Sequence, residues 1–429
     1  MLTEIAEQKD IQQEYKTVTK CRICDSTDLY KYLDLGMMPL VNQLEDTKEK
    51  ALSVDRFPLE VLFCGNCGLS QLSCIVNPAI MFTEYPYRSG ISKTFIKHCD
   101  DLADYYCKRF ELTGDDYILD IASNDGTLLK SFKNKNVNVI GIEPAWNLAK
   151  SAIENGIDTL QDYWTKTVAE YVSQEFGKMK LIFGTNVFAH VHDVIGFLMN
   201  AKNCLAEGGR IVLEFPYLMN LIRGNAFDTC YHEHLSYFTI KPLIKLAERC
   251  GLIISDIIED PIHGGSIRVE FVLEKDDKFQ GSRVKFFQLV EKTDGYNDSI
   301  FYKTWGEKIA KVIEDVKSKL QNLKLKGNSI AAFGAAAKGN ILLNSIWADD
   351  DLISYIVDDT PEKIGKFAPG TGIPIVSREE LSFNPPDYLL ILPWNFKDEI
   401  IASTLGTYGG KKFIIPIPEF KLIEGTNVC

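Results

Sequence analysis

From residue 92 onward, short apolar runs alternate with amphipathic segments. Between Ser92 and Tyr106, apolar residues recur at i, i+3 and i+4, the spacing of a helix with one buried face. The run Tyr117-Ile-Leu-Asp-Ile121 has the length and continuous apolarity of a buried strand. The turn Ala122-Ser-Asn-Asp-Gly126 follows it, and a helix is expected from Thr127 to Phe132. Further strands are predicted at Val137–Ile142, Leu181–Gly184 and Gly209–Phe215, with helices between them. Strands alternating with helices predict a parallel, doubly wound sheet. After Gly251 the pattern loosens, apart from an alternating strand at Ser266–Leu273 and a long helical region over about 296–325. A second strand-turn-helix starts at Asn328–Phe333, with Gly334-Ala-Ala-Ala-Lys-Gly339 as its turn. Strands at Leu352–Val357 and Tyr388–Leu392 repeat the same logic.

The first 78 residues follow another rule. They show little helical period and carry two Cys-x-x-Cys pairs, Cys21/Cys24 and Cys64/Cys67. Four thiolates match the tetrahedral shell of Zn²⁺, and a shell closed by protein ligands leaves no position for catalysis. The expected metal is therefore structural zinc. Neither pair sits in the βαβ context of a thioredoxin-like redox motif. The fold class expected is α/β: an N-terminal zinc-binding domain over residues 1–78, then two Rossmann-like doubly wound units over 79–255 and 256–429.

Charge and cysteine usage narrow the functional class. The net charge of −12, from 47 basic and 59 acidic residues, argues against a nucleic-acid-binding face. There is no run of about 18 apolar residues, so no membrane span is expected. The charged start Met1–Asp10 lacks the apolar stretch of a signal peptide, which predicts a cytoplasmic protein. Eleven cysteines is an odd number, and seven stand outside the pairs as expected buried small hydrophobes. The sequence does not report an oligomeric state.

Two places carry candidate chemistry. Asp120 ends the first strand, and Glu143 ends the next one 23 positions later, where a carboxylate typically grips ribose hydroxyls. The turn between holds only Gly126, not Gly-x-Gly-x-x-Gly, so a pyrophosphate fits poorly. S-adenosylmethionine is a nucleoside ligand without one. Ser123, Asn124, Pro144 and Asn186 complete the expected cofactor site, with Ala122 in the turn. Far downstream, Tyr231-His232-Glu233-His234 concentrates a phenol, two imidazoles and a carboxylate in a chain of six histidines. Each of these groups moves protons or steadies an anion near neutral pH. His98 reads as a residue on a helix surface.

The order of zinc knuckles, Asp120-x-Ala-Ser-Asn-Asp-Gly-Thr-Leu128, Gly141-Ile-Glu-Pro144, Asn186-Val-Phe-Ala-His190, Tyr231–Phe238 and Gly334–Gly339 resembles the nucleotide-sugar C-methyltransferases. The resemblance runs over nearly the whole chain from Cys21. It implies C-methylation at C3 of a 4-keto deoxysugar carried on a nucleotide diphosphate, usually thymidine diphosphate. It also favours His234 over His232 as the base, with His232 structural. Tyr231 is expected to donate to the developing oxyanion, Glu233 to orient an imidazole and His190 to assist. Tyr85 and Tyr87 resemble the family's linker tyrosines, Tyr85 reaching the catalytic group and Tyr87 the substrate. Lys338 is expected to offset phosphate charge. The family usually has glycine at the position of Ala122, and alanine is small enough for the turn to survive. The alternatives are an O-methyltransferase on a nucleotide sugar, and a nicotinamide oxidoreductase or sugar-nucleotide-binding protein built on the last unit.

Overall fold

The computed structural model describes residues 14–82, 88–276, 280–409 and 412–424. It bears out the α/β class, with a zinc-binding domain preceding two Rossmann-like units. In the N-terminal domain, strands Leu29–Pro39, Arg56–Cys64 and Ser70–Leu72 form an antiparallel sheet. Its fourth strand, Ser236–Tyr237, follows the Tyr231–His234 tetrapeptide and pairs Ser236 with Gln71. The long helix Ser299–Leu325 crosses this sheet. Gly306 passes the Tyr32 carbonyl so closely that a Cβ has no room, and Tyr302 stacks on Phe63 at 4.5 Å.

Seven strands make the second sheet, in the order Leu252–Asp260, Ser266–Leu273, Leu205–Pro216, Met179–Thr185, Tyr117–Ile121, Asn138–Ile142 and Thr159–Leu160. The last five are mutually parallel and the first two form an antiparallel hairpin on the edge. Central strands buried on both faces read as continuous apolar runs, which is why Tyr117–Ile121 was legible. The chain reverses its winding between Tyr117–Ile121 and Met179–Thr185, and ligands of open α/β sheets bind outside the strand ends at such a switch. The expected boundary at residue 255 falls inside a strand of this sheet, because Leu252–Asp260 and Ser266–Leu273 both belong to it.

The third sheet runs Ile375–Val376, Ile356–Val357, Ile330–Phe333, Tyr388–Ile391, Lys412–Ile415 and Lys421–Glu424. Of the strand expected at Leu352–Val357, only Ile356–Val357 pairs. The segment before it turns, with the Ile353 amide donating to the Asp349 carbonyl.

The three parts interlock. Asn340 donates to the Val41 carbonyl at 2.6 Å, Arg56 to the Gly370 carbonyl at 2.9 Å, and Glu45 forms a β-bridge with Phe367. The loop Leu40–Glu45 of the zinc-binding domain is thereby held against the last unit. Among the described residues no helix is long and apolar enough to cross a membrane.

Candidate active site and metal centre

Each cysteine knuckle is a tight turn. Asp25 takes a left-handed conformation and donates its amide to the Cys21 carbonyl; Gly68 does the same toward Cys64. The four sulfurs converge, with Cys21–Cys67 at 3.4 Å, Cys24–Cys64 at 3.5 Å and all pairs within 4.8 Å. Zn–S bonds of about 2.3 Å place tetrahedral sulfurs about 3.8 Å apart, so the cluster fits zinc. Sulfurs this close compete for protons. Hydrogen bonding with Cys21 and Cys67 drives the Cys64 thiol far below its ordinary range, while hydrogen bonding with Cys64 pushes Cys21 up to about 12. A divalent cation that takes all four as thiolates removes that competition.

At the switch point of the second sheet, Ala122, Asn124 and Gly126 all take positive φ, at 58°, 53° and 78°. Glycine does so freely and asparagine tolerates it, whereas alanine gives up about 1 kcal/mol. Alternation of this kind turns backbone N–H groups toward one concave face, suited to a polar ligand. Glu143 holds the turn: Oε2 accepts from the Asn124 amide and Oε1 from the Ala145 amide, both at 2.8 Å. Each oxygen keeps a second lone pair for a ribose hydroxyl. Pro144 lies half-buried beside it, and Asn186, at φ 57°, bonds its amide to the Glu214 carbonyl at 2.7 Å.

Asp120 is 3% exposed, and its Oδ1 has no partner, as is also true of the Ser123 hydroxyl. Burial, with the Glu143 charge, pushes Asp120 up to about 8. An uncompensated buried carboxyl of this kind fits a ligand that brings its own ammonium or hydroxyl groups, as S-adenosylmethionine does. Trp164 donates its indole N–H to the Phe197 carbonyl at 3.2 Å and packs on the core.

The tetrapeptide faces two ways, because it lies in a turn. His232 points to the zinc-binding domain, edge-on to Phe57 at 5.8 Å, and burial lowers it to about 4. Glu233 accepts a hydrogen bond of 2.6 Å from the Asn42 amide of the same domain. Tyr231 and His234 point the other way. The His234 Nδ1 lies 2.8 Å from the Thr229 carbonyl, which can only accept, so Nδ1 carries the proton. The Nε2 lone pair then accepts from the Tyr231 hydroxyl at 2.9 Å. Burial and the neighbouring His190 push His234 well below the usual histidine range, and burial lowers His190 to about 4. The two imidazoles meet at 4.9 Å. Tyr231, expected to face an oxyanion, thus bonds to His234 itself. Tyr85 and Tyr87 lie outside the described residues.

Three features escaped the sequence. Asn42 reaches Glu233 across 191 positions, a contact no local pattern announces. Asp228 is fully buried and accepts from the Trp394 indole at 2.8 Å, and Lys338 projects over the Trp394 ring at 5.7 Å. His98 is not a surface residue: its side chain is 10% exposed, bonded to Glu214 at 2.8 Å and 3.6 Å from Asp260. Burial alone would lower its pKa, but the hydrogen bond and charge of Glu214, with Asp260, raise it. Arg268 lies 3.5 Å from the other Glu214 oxygen, which makes the group an ion-pair network tying the helix Lys93–Phe110 to the sheet.

The carboxylate after the second strand of the last unit is already engaged. Asp358 accepts from the Ala335 and Thr360 amides at 2.8 and 2.9 Å, and Lys363 lies 3.5 Å away. Gly334 and Gly339 pack against Pro393 and Leu392. The room that a dinucleotide takes beside such glycines is filled by protein.

Residues 21–82 match a zinc binding domain family, 95–255 a methyltransferase domain and 261–418 the C-methyltransferase C-terminal domain. C-methyltransferase NovU of Streptomyces niveus is 32% identical over 418 residues, covering 97% of this chain and 100% of the relative. The chain belongs to the C-methyltransferase family. It is an S-adenosylmethionine-dependent C-methyltransferase whose zinc-binding domain carries the four-cysteine cluster. A more distant relative, the ubiquinone biosynthesis O-methyltransferase of Aeromonas salmonicida strain A449, is 25% identical over 172 residues, 37% of this chain and 71% of its own. Among solved structures, an S-adenosylmethionine-dependent methyltransferase of Clostridium acetobutylicum aligns over 42% of this chain and 92% of its own, at 14% identity and a TM-score of 0.32.

Proposed function

We propose that the enzyme methylates C3 of a 4-keto deoxysugar carried on a nucleotide diphosphate, through an enolate, with His234 as the base. The observation that carries this reading is the state of His234. Its tautomer is fixed by the Thr229 carbonyl, burial favours its neutral form, and its Nε2 lone pair faces a phenol instead of a carboxylate. A neutral imidazole of known tautomer is suited to take a carbon-bound proton α to a carbonyl. S-adenosylmethionine supplies an electrophilic methyl group when bound. Asp120, Ala122, Ser123, Asn124, Gly126, Glu143, Pro144 and Asn186 would hold it. Tyr231 steadies the lone pair until substrate arrives, and its hydroxyl is then free to donate to the substrate oxygen. Glu233, anchored by Asn42 on the zinc-binding side, holds the turn, and His190 lies against His234, with Tyr85 as a further catalytic group. Tyr87 and Lys338 contribute to the substrate side, which is taken to be thymidine-linked on the family resemblance.

The test uses labelled S-adenosylmethionine and a panel of dTDP-linked 4-keto-6-deoxy sugars, read by mass and carbon NMR. A new C–CH₃ carbon at C3 is expected, with the C3 proton exchanging in D₂O when S-adenosylhomocysteine replaces the donor. Methyl on C5, also α to the keto group, would overturn the position and keep the enolate. Methyl on oxygen without exchange would overturn the C-methylation of sugars.

A further inference from the structure

Lys338 lies where the last unit meets the catalytic turn, at the second residue of helix Ala337–Ser345. That helix packs against the short helix Phe227–Thr229, which immediately precedes Tyr231. Three contacts lead from the lysine to the base. Its ammonium stands over the Trp394 ring, Trp394 donates to Asp228, and the carbonyl of the next residue, Thr229, holds His234 Nδ1. The lysine charge is close enough to be felt at His234 and at Asp228. Among the described residues no carboxylate pairs with its Nζ, although the side chain is partly buried and burial lowers its pKa. On one side it meets Gly264, where a Cβ would stand 3.8 Å from the Nζ and only backbone is present. A partly buried ammonium with no carboxylate on it calls for an oxygen from a ligand.

We propose that Lys338 is a catalytic residue that donates to the keto oxygen of the substrate and carries the charge of the enolate, and is not chiefly a diphosphate anchor. This rests on the enolate reading given above. The step balances. The Cα–H bond breaks, the proton goes to His234 Nε2, and the electron pair passes through the carbonyl to the oxygen facing Lys338. The product is an imidazolium and an enolate, with the ammonium unchanged. Tyr231 is then one of two donors at that oxygen, which resolves its present engagement with His234. Placing fixed positive charge where negative charge develops is the largest single lever on such a barrier. Asp228, with one oxygen on Trp394 and the other without a partner, holds the lysine side of the site without neutralising it by contact. Among the described residues the charged and titratable groups around His234 are then Lys338 and Asp228 on one side, His190 on the second, Tyr237 edge-on at 6.4 Å, and Tyr231 and Glu233 of its own turn.

The experiment measures α-proton exchange in D₂O, with S-adenosylhomocysteine bound and a dTDP-linked 4-keto-6-deoxy sugar at saturation, for Lys338→Met and Lys338→Arg. Lys338→Met is expected to lower exchange about 100-fold or more, with Lys338→Arg recovering part of it. The Kd of dTDP alone is expected to stay within about threefold of wild type, because the lysine faces the sugar carbonyl and each tenfold in affinity needs about 1.4 kcal/mol of lost contact. Exchange at the wild-type rate, or a dTDP Kd raised tenfold with saturated exchange intact, would overturn the proposal. S-adenosylhomocysteine binding by calorimetry reports that each variant is folded, and Lys338→Gln replaces any that is not. If wild-type enzyme exchanges no proton and methylates oxygen, the enolate reading fails; if wild type exchanges and Lys338→Met matches it, only the lysine assignment fails.

Discussion

Two Rossmann-like units in one chain use the same fastening. In the first, Glu143 ties down the turn that follows Tyr117–Ile121 by accepting from Asn124, and accepts again from Ala145. In the second, Asp358 ties down the turn that follows Ile330–Phe333 by accepting from Ala335, and accepts again from Thr360. The difference lies in what surrounds the carboxylate. Around Glu143 there remain Asp120 with an unpartnered oxygen and a turn of three left-handed residues. Around Asp358 there is Lys363, which also bonds the Ala335 carbonyl, and Pro393 and Leu392 close on the glycines. A turn of this kind can thus keep its carboxylate fastening without a ligand site when one cation and a few apolar contacts fill it. The second unit then serves as a wall that carries Lys338 to the turn before Tyr231.

The largest effect is expected at His234, the proposed base. Replacing His234 with Ala should lower kcat about 10³-fold, with S-adenosylmethionine affinity unchanged by calorimetry. Because the folded pKa of His234 lies below the free value of 6.5, the neutral, active form persists as pH falls through 6.5. The acid limb of kcat/KM should therefore lie below pH 6.5, and a limb at or above that value would assign it to another group. The paired fastenings give the sharpest contrast. Glu143→Gln should weaken S-adenosylmethionine binding by about 10- to 100-fold, since charge-assisted bonds contribute about 1.5–3 kcal/mol. Asp358→Asn should leave that affinity unchanged and cost about 1–3 kcal/mol of stability in a denaturant titration. Equal effects on cofactor affinity would break the comparison. Asn42→Ala should lower kcat about tenfold with little change in KM, through the loosened Glu233 carboxylate. The smallest effect is expected at Ala122, where glycine should stabilise the fold by about 0.5 kcal/mol, strain relief exceeding added chain entropy.

How much of this was legible depended on the range of the interaction. Tyr117–Ile121 and Ser266–Leu273 could be read to the residue because burial alone sets their pattern. Leu252–Asp260 was lost in what looked like loosening. A register shift between Ile254 and Asp256 breaks its alternation, so period two fails although the strand is intact. His98 looked exposed because a helix pattern reports only the element's own faces, and its partners Glu214 and Asp260 come from two distant strands. The cysteine cluster was legible since spacing within each knuckle is local. The partner of Glu233 was not, because residue type gave no reason to choose Asn42 over the imidazoles beside it.

The sheet of the zinc-binding domain has a consequence for how the chain is made. Its edge strand Ser70–Leu72 finds its partner, Ser236–Tyr237, about 160 residues later. At about 5–20 residues per second of synthesis, that edge stays open on the ribosome for roughly 10–30 s. An open edge is a template for pairing with other chains. The fourth zinc ligand, Cys67, precedes that edge strand, so metal can lock the knuckles before the sheet is complete. Metal supply during translation would then govern the yield of soluble protein, quite apart from anything the finished enzyme does with its zinc.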